Sequence, residues 1–422
     1  MSAATAGPAD PRAAGPGAEG GPARTRGTVL VVGTGLLGAS AGLALRARGV
    51  DVALDDPSPT ARALARDVGA GRLAGPAEDP SVVLVAAPPD VTAEVVAERL
   101  RAHPRAVVTD VASVKGAVLD GVAAALARDG ADPSAVLRYV GGHPMAGRER
   151  SGATSARADL FTGRPWVLVP PDGAQGGAPD GAQGGARGGA SAAPTGDVAG
   201  DPGGPAAGAL ERVLDVVADC RGVPVVMGAA EHDEAVALVS HVPQVAASLV
   251  AARLLEAPSG AVALAGQGLR DVTRIAASDP GLWVQILGAN AAPVARALHA
   301  LRSDLDAVLG ALDALVANGA ALGARARVAR AIDEGGAGVA RVPGKHGADP
   351  VPVEVVAVLV PDEPGSLARL FADVADLGVS VEDVKLEHAP GRLLGLAELS
   401  VLPAGRPRLE AELPPRGWRV AG

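Results

Sequence analysis

The chain has 422 residues, so roughly two or three domains are expected rather than one. Hydrophobic residues make up 48% and aromatic ones only 1%, so the cores must be Ala, Val and Leu, which disfavours an aromatic nucleic-acid platform. A net charge of −9 offers no basic surface for phosphates, so no nucleic-acid partner is expected.

Cys220 is the only cysteine, which rules out an intrachain disulfide or a cysteine-based zinc site. His232 and His241 do not fall on one helix face as paired ligands would, so no metal is expected. Met1 to Arg26 is rich in Ala, Gly and Pro and has no apolar core of a secretory signal. With no apolar run of about 18 residues or more, no membrane span is expected, and the cytoplasm is the default compartment.

Residues 1–26 read as a disordered tail. A continuous apolar run, Thr28 to Val32, then ends at Gly33 and reads as a strand buried on both faces. Helix over Ala39–Arg48, strand over Asp51–Asp55, helix over Thr60–Val68, strand over Ser81–Ala87, helix over Val91–Arg101 and strand over Ala106–Asp110 follow. This alternation predicts an α/β, doubly wound parallel sheet, extended by strands at Arg138–Gly141 and Trp166–Val169. Residues 170–207 form a Gly/Ala/Pro tract read as a flexible insertion. The sheet domain, 27–228, then closes with a helix near Leu210–Ala218 and a strand at Val223–Met227. A helical domain is expected over 229–332, with helices at Glu231–Leu255, Ala261–Ala277, Pro280–Leu315 and Ala320–Ile332. A Gly-rich linker over 333–350 precedes a last domain, 351–422, of order strand, helix, strand, strand.

Gly33-Thr34-Gly35-Leu36-Leu37-Gly38 sits between a strand and a helix, where a glycine turn presents helix N–H groups to a pyrophosphate. Asp55 or Asp56, about 20 residues later, would accept from the adenosine ribose and repel a 2′-phosphate, favouring NAD. Three polar clusters stand out from the aliphatic background: Thr109 to Gly116, Gly141 to Gly152, and Gly266 to Pro280. The first two lie just past strand C-termini, the edge where doubly wound sheets bind ligands.

The ordered motifs GTGLLG, TDVASVKG, GGHPMAGRERSG, EHDEAVALVSHVPQ and GLRDVTRIAASDPGLW resemble the prephenate/arogenate dehydrogenase family over about residues 28–320. The resemblance implies a Rossmann-like domain binding NAD through Gly33, Thr34, Gly35, Leu36, Leu37, Gly38, Asp55, Asp56, Ala87 and Pro88. It implies a helical substrate and dimerisation domain, a homodimer, and a small-molecule substrate, prephenate or arogenate, of tyrosine biosynthesis. His143 would be the base that takes the 4-hydroxyl proton, with Ser113 orienting it; Ser113 also suits a helix N-cap. Arg274 would grip the substrate carboxylate, or else pair locally with Asp271 or Asp279. Glu149, His241, Gln244 and Ser278 complete the implied pocket, Glu149 reading equally well as a surface residue.

The C-terminal segment is similar to the ferredoxin-like ACT fold, with a turn carrying Asp362, Pro364, Gly365 and Leu367. Such a turn implies an amino-acid effector site, tyrosine by pathway logic, or a plain dimerisation turn. Two competing functions are a β-hydroxyacid dehydrogenase of similar plan and a non-catalytic sensor. The first would need a lysine in an interdomain helix, and 231–332 contains none. The joint presence of His143, Ser113 and Arg274 disfavours the second.

Overall fold

The computed structural model describes residues 21–146, 152–171, 205–342, 352–388 and 394–421. They divide into two compact units. One holds the described residues up to Leu249 with Ile275–Ala297; the other holds Val250–Arg274 and the residues from Leu298 onward.

The first unit is built on an eight-stranded sheet. Its elements are β1 (Val29–Val32), α1 (Leu36–Ala47), β2 (Val52–Asp55), α2 (Pro59–Asp67), β3 (Arg72–Leu73), β4 (Val82–Val85), α3 (Pro89–Ala102), β5 (Val107–Asp110), α4 (Gly116–Arg128), β6 (Tyr139–Pro144), β7 (Pro165–Val169), α5 (Pro205–Asp219) and β8 (Val223–Val226). The strand order is β3-β2-β1-β4-β5-β6-β7-β8. Strands β3 to β6 run parallel, β7 runs antiparallel to β6, and β8 is parallel to β7. The chain steps outward from β1 and returns to β4 on its other side, so the crevice above β1 and β4 is the topological switch point.

The all-aliphatic strands explain this placement. Val29 and Val31 enter the core on one face of the sheet, Leu30 and Val32 the core on the other, so β1 is stable only between two helical layers. The helices α6 (Ala229–Val236), α7 (Val242–Ala252) and α10 (Pro280–Ala289) follow, with a π-helical turn at Ala237–His241 between the first two.

In the second unit, α8 (Ser259–Val262) and α9 (Gln267–Thr273) are short; α11 (Ala291–Ala317) enters from the first unit, and α12 (Ala324–Val339) follows. Then come β9 (Glu354–Pro361), α13 (Ser366–Asp376), β10 (Val381–His388), β11 (Leu394–Val401), α14 (Arg406–Glu412) and β12 (Arg419–Ala421). These four strands form an antiparallel sheet of order β10-β11-β9-β12. β9 and β11 alternate buried and half-exposed residues, so one face packs Val356, Val358, Leu399 and Val401 against Leu370 of α13 and Leu409 of α14.

Several expectations need correction. Gly21 to Arg26 belongs to the folded unit rather than a tail, because the Asp219 carboxylate accepts from the Arg24 and Thr25 N–H groups at 2.8–3.2 Å; residues 1–20 lie outside the described residues. The insertion's described end is helical from Pro205, and 172–204 also lie outside. The expected helix over Ala261–Ala277 is interrupted, with α9 starting only after Gly266. The expected linker is helical as far as Val339 despite its glycines.

Candidate active site

Because β1, β4, β5 and β6 are parallel, their C-terminal ends share one edge, which carries the glycine turn, Ala87–Pro88, the Asp110–Lys115 turn and His143. In the glycine turn, Gly33 has φ of 93°, a conformation open mainly to glycine. A Cβ on Gly38 would lie 2.0 Å from the Gly33 carbonyl oxygen, so this glycine lets α1 close on β1. A Cβ on Gly35 would meet nothing within 4 Å, so the space over it is open to a ligand at the start of α1. These features fit a dinucleotide pyrophosphate.

The two aspartates at the end of β2 have different duties. Asp56 Oδ2 accepts from Thr34 N–H at 2.7 Å and from Thr34 Oγ1 at 2.9 Å, while Oδ1 accepts from Ser58 N–H at 2.8 Å. Asp55 instead faces Arg99 at 2.8 Å and Arg62 at 3.7 Å. Asp56 is thus a clasp on the glycine turn, and Asp55 is the acid held among cations.

His143 lies near the end of β6, and its Nδ1 is 2.9 Å from Nε2 of His232 on α6. His232 Nδ1 in turn bonds Asp233 Oδ1 at 2.8 Å. Asp233 also accepts the N–H groups of Lys115 and Gly116, each at 2.9 Å, and so caps α4 from far along the chain. Beneath this chain, the buried Lys115 ammonium pairs with Asp110 and donates to the Gly142 carbonyl at 2.6 Å. Asp110 also accepts from the Tyr139 hydroxyl and from the Ala112 and Gly142 N–H groups. The Lys115 and Asp110 charges are thus matched, whereas Thr109 Oγ1 and Trp166 Nε1, packed beside Gly142, are buried without a hydrogen-bond partner among the described residues.

The electrostatics favour a neutral base. Burial pushes the His143 imidazole well below the ordinary histidine value, and His232, Lys115 and His241 push it the same way. His241 is likewise lowered by burial. Burial raises the Asp233 carboxyl, but the bonds from His232, Lys115 and Gly116 outweigh it and hold the group below its usual value.

The structure brings most sequence-predicted residues of the first unit together. His241 sits in the π turn, its Nδ1 3.1 Å from Asn290 Nδ2 and its ring edge-on to Trp283. Gln244 is buried and 3.5 Å from Ser278 Oγ, which also donates to the Ile275 carbonyl at 2.8 Å. Ser113 makes no hydrogen bond among the described residues: Nδ1 of His143 goes to His232, and Asp233 takes the capping role. Arg274 belongs to the second unit. Its alternative local partners are engaged elsewhere, Asp271 by Gln267 and Asp279 by the Gly281 N–H that it caps. Glu149 lies outside the described residues. Sequence reasoning weighed His232 only as a metal ligand and gave Asp233 and Asn290 no role. The adjacent His-Asp pair opening a helix was the available signal.

Comparison with known proteins shows the family. The family described as "Prephenate dehydrogenase, nucleotide-binding domain" matches residues 41–176, and "Prephenate dehydrogenase, dimerization domain" matches residues 228–320. A probable prephenate dehydrogenase, NovF, of Streptomyces niveus is 38% identical over 400 residues, covering 93% of this chain and 98% of its own. A cyclohexadienyl dehydrogenase of Zymomonas mobilis is 26% identical, over 66% of this chain and 85% of its own. The solved prephenate dehydrogenase of A. aeolicus, in complex with hydroxyphenyl propionate and NAD+, has the same fold at TM-score 0.57 and 24% identity. That match covers 75% of this chain and 99% of the other.

Proposed function

Because the chain belongs to the prephenate dehydrogenase family, we propose that it oxidatively decarboxylates prephenate to 4-hydroxyphenylpyruvate, or arogenate to tyrosine, in tyrosine biosynthesis. The observation that carries this reading is His143: a neutral imidazole at the C-terminal sheet edge, tethered through Nδ1, with no hydrogen bond at Nε2 among the described residues.

NAD, when bound, supplies the hydride acceptor. Gly33 to Gly38 would hold its pyrophosphate and Asp55 its adenosine ribose, with Ala87 and Pro88 alongside at the end of β4. His143 takes the proton of the substrate 4-hydroxyl at Nε2, which lets the C4 hydrogen leave with its electron pair. Loss of the ring carboxylate as CO2 then gives the aromatic ring. Arg274 grips a substrate carboxylate with its guanidinium fork. His241, Gln244 and Ser278 line the pocket, and Ser113 lies on the turn that leads to Lys115.

The chain works as a homodimer. Its helices leave large apolar side chains in the open, among them Leu238 at 65% and Val284 at 71% exposure, within the matched dimerization region. Both reactants are metabolites of the cell interior, which supports the cytoplasm.

The C-terminal sheet, with its strand–helix–strand–strand–helix–strand order, supports an ACT-type regulatory domain. A hollow of about 210 Å³ opens there beside the first turn of α13, lined by Pro361, Asp362, Gly365, Ser366, Leu367 and Leu386. Pro364 shapes the same turn. A zwitterionic amino acid, tyrosine by feedback logic, suits a hollow with helix N–H groups at one end and apolar side chains at the other.

The reading is tested by incubating the protein with NAD and prephenate, and separately arogenate, and following the absorbance of reduced cofactor. Reduction with at least one substrate is expected; none with either overturns the assignment.

A further inference from the structure

We infer that Asp233, without touching substrate, locks the two active-site histidines in opposite tautomers, making His143 an acceptor at Nε2 and His241 a donor at Nε2. The inference rests on the function proposed above but concerns hydrogen positions that turnover alone does not report.

Of the three side chains linked as His143–His232–Asp233, the Asp233 carboxylate can only accept. The carboxylate Oδ1 of Asp233 is 2.8 Å from His232 Nδ1 and also receives the Lys115 N–H, so the hydrogen on that His232 contact must sit on Nδ1. A neutral His232 with Nδ1 protonated has a bare Nε2. That bare nitrogen is 2.9 Å from His143 Nδ1, so the shared hydrogen belongs to His143 Nδ1. His143 is then left with its lone pair on Nε2, the ring nitrogen that has no partner among the described residues.

A second chain leaves from the same residue's main chain. Asn290 Nδ2 lies 2.8 Å from the Asp233 carbonyl oxygen, which fixes the amide orientation, since the amide oxygen there would face another acceptor. The same Nδ2 is 3.1 Å from His241 Nδ1. Nδ1 of His241 must therefore accept, and its single hydrogen sits on Nε2. His232, Asp233, His241 and Asn290 are all buried, so water does not compete for these bonds.

The consequence is a polarity code. When the substrate hydroxyl reacts, its O–H bond breaks and an Nε2–H bond forms on His143, while the Nδ1–H bond to His232 is kept. The resulting imidazolium donates toward the His232–Asp233 pair, whose carboxylate offsets its charge. His241 meanwhile offers a donor, suited to a carboxylate or carbonyl oxygen of the substrate. Asp233 and His232 are positioning residues in this scheme; neither meets the reacting atoms.

The test uses the full-length protein labelled with ¹⁵N-histidine, with peaks assigned through His143→Asn and His241→Asn. At neutral pH the imidazole ¹⁵N spectrum should show His143 protonated at Nδ1 and His241 at Nε2. His143 protonated at Nε2 in the unmodified protein overturns the proposal, whatever the turnover. Kinetics supply the second readout. His232→Leu should lower kcat by about 10²–10³-fold while KM moves little, as expected where a base loses its tautomer. His232→Gln, whose amide oxygen still accepts from His143 Nδ1–H, should regain about tenfold of that loss. A loss confined to KM, or equal losses in Leu and Gln, contradicts it. Absence of turnover in the unmodified protein would instead sink the functional reading and leave the tautomer measurement standing.

Discussion

The ammonium of Lys115 donates a 2.6 Å hydrogen bond to the carbonyl of Gly142, the residue before His143. A fully buried cation thus stands directly behind the base, balanced by the equally buried Asp110. Removing it in Lys115→Met strands the Asp110 charge, which costs about 3–5 kcal/mol of stability. The measurable result is a lowered Tm. A Tm within a degree or so of the parent would show that the pair is not coupled as described.

The same cation predicts a kinetic shift. His143 must be neutral to act, so activity is present above its depressed value and lost as pH falls through it. In the parent the acid limb of kcat/KM should therefore lie below the ordinary histidine value of 6.5, for burial first, and then His232, Lys115 and His241, all push the same way. In Lys115→Met, wherever it still folds, that limb should move to higher pH. Movement to lower pH would reverse the sign of the argument.

Stability follows the same groups. His143 and His241 are both depressed by burial, so on unfolding they regain their ordinary affinity for protons. Below 6.5, and down to the depressed values, the unfolded chain holds more protons than the folded one, so stability falls as pH falls through this window. A Tm series against pH should drop there, and His143→Asn should make the drop shallower.

How much of this was legible in the sequence depends on the range of the contacts. The aliphatic runs of β1, β4 and β5 and the GTGLLG turn announce the sheet because their signals are local. The order of motifs likewise placed His143 and His241. The His143–His232–Asp233 chain did not show, because its members meet across 89 positions and Asp233 caps α4 from 117 positions away. The same holds for Gly21 to Arg26, whose tail-like composition hides a contact to Asp219 some 195 positions on. Ser113, two positions before Lys115, reads as the helix cap from local sequence alone, whereas the carboxylate that takes the Lys115 and Gly116 N–H groups comes from Asp233.

Gly116 offers a test of that long-range cap. A Cβ there would lie 2.9 Å from Asp233 Oδ2, so Gly116→Ala must push the carboxylate off the helix start. The loss of charge-assisted bonds is worth about 1.5–3 kcal/mol, so Tm should fall, and kcat with it. Unchanged kcat would detach Asp233 from the chemistry.

The two aspartates of the cofactor edge separate by their partners. Asp55→Ala would free Arg99 and Arg62, two cations suited to a 2′-phosphate. The preference for NAD over NADP, measured as a kcat/KM ratio, should fall by about 10–100-fold. Asp56→Ala should instead weaken both cofactors alike, since it releases Thr34 of the glycine turn. The opposite pattern would exchange their roles.

Replacing His143 with Asn reaches the core of the account. The expected outcome is a drop in kcat of about 10²-fold or more with NAD affinity, measured by titration, unchanged. A His143→Asn enzyme that reduces NAD with prephenate at the parent's rate would contradict it.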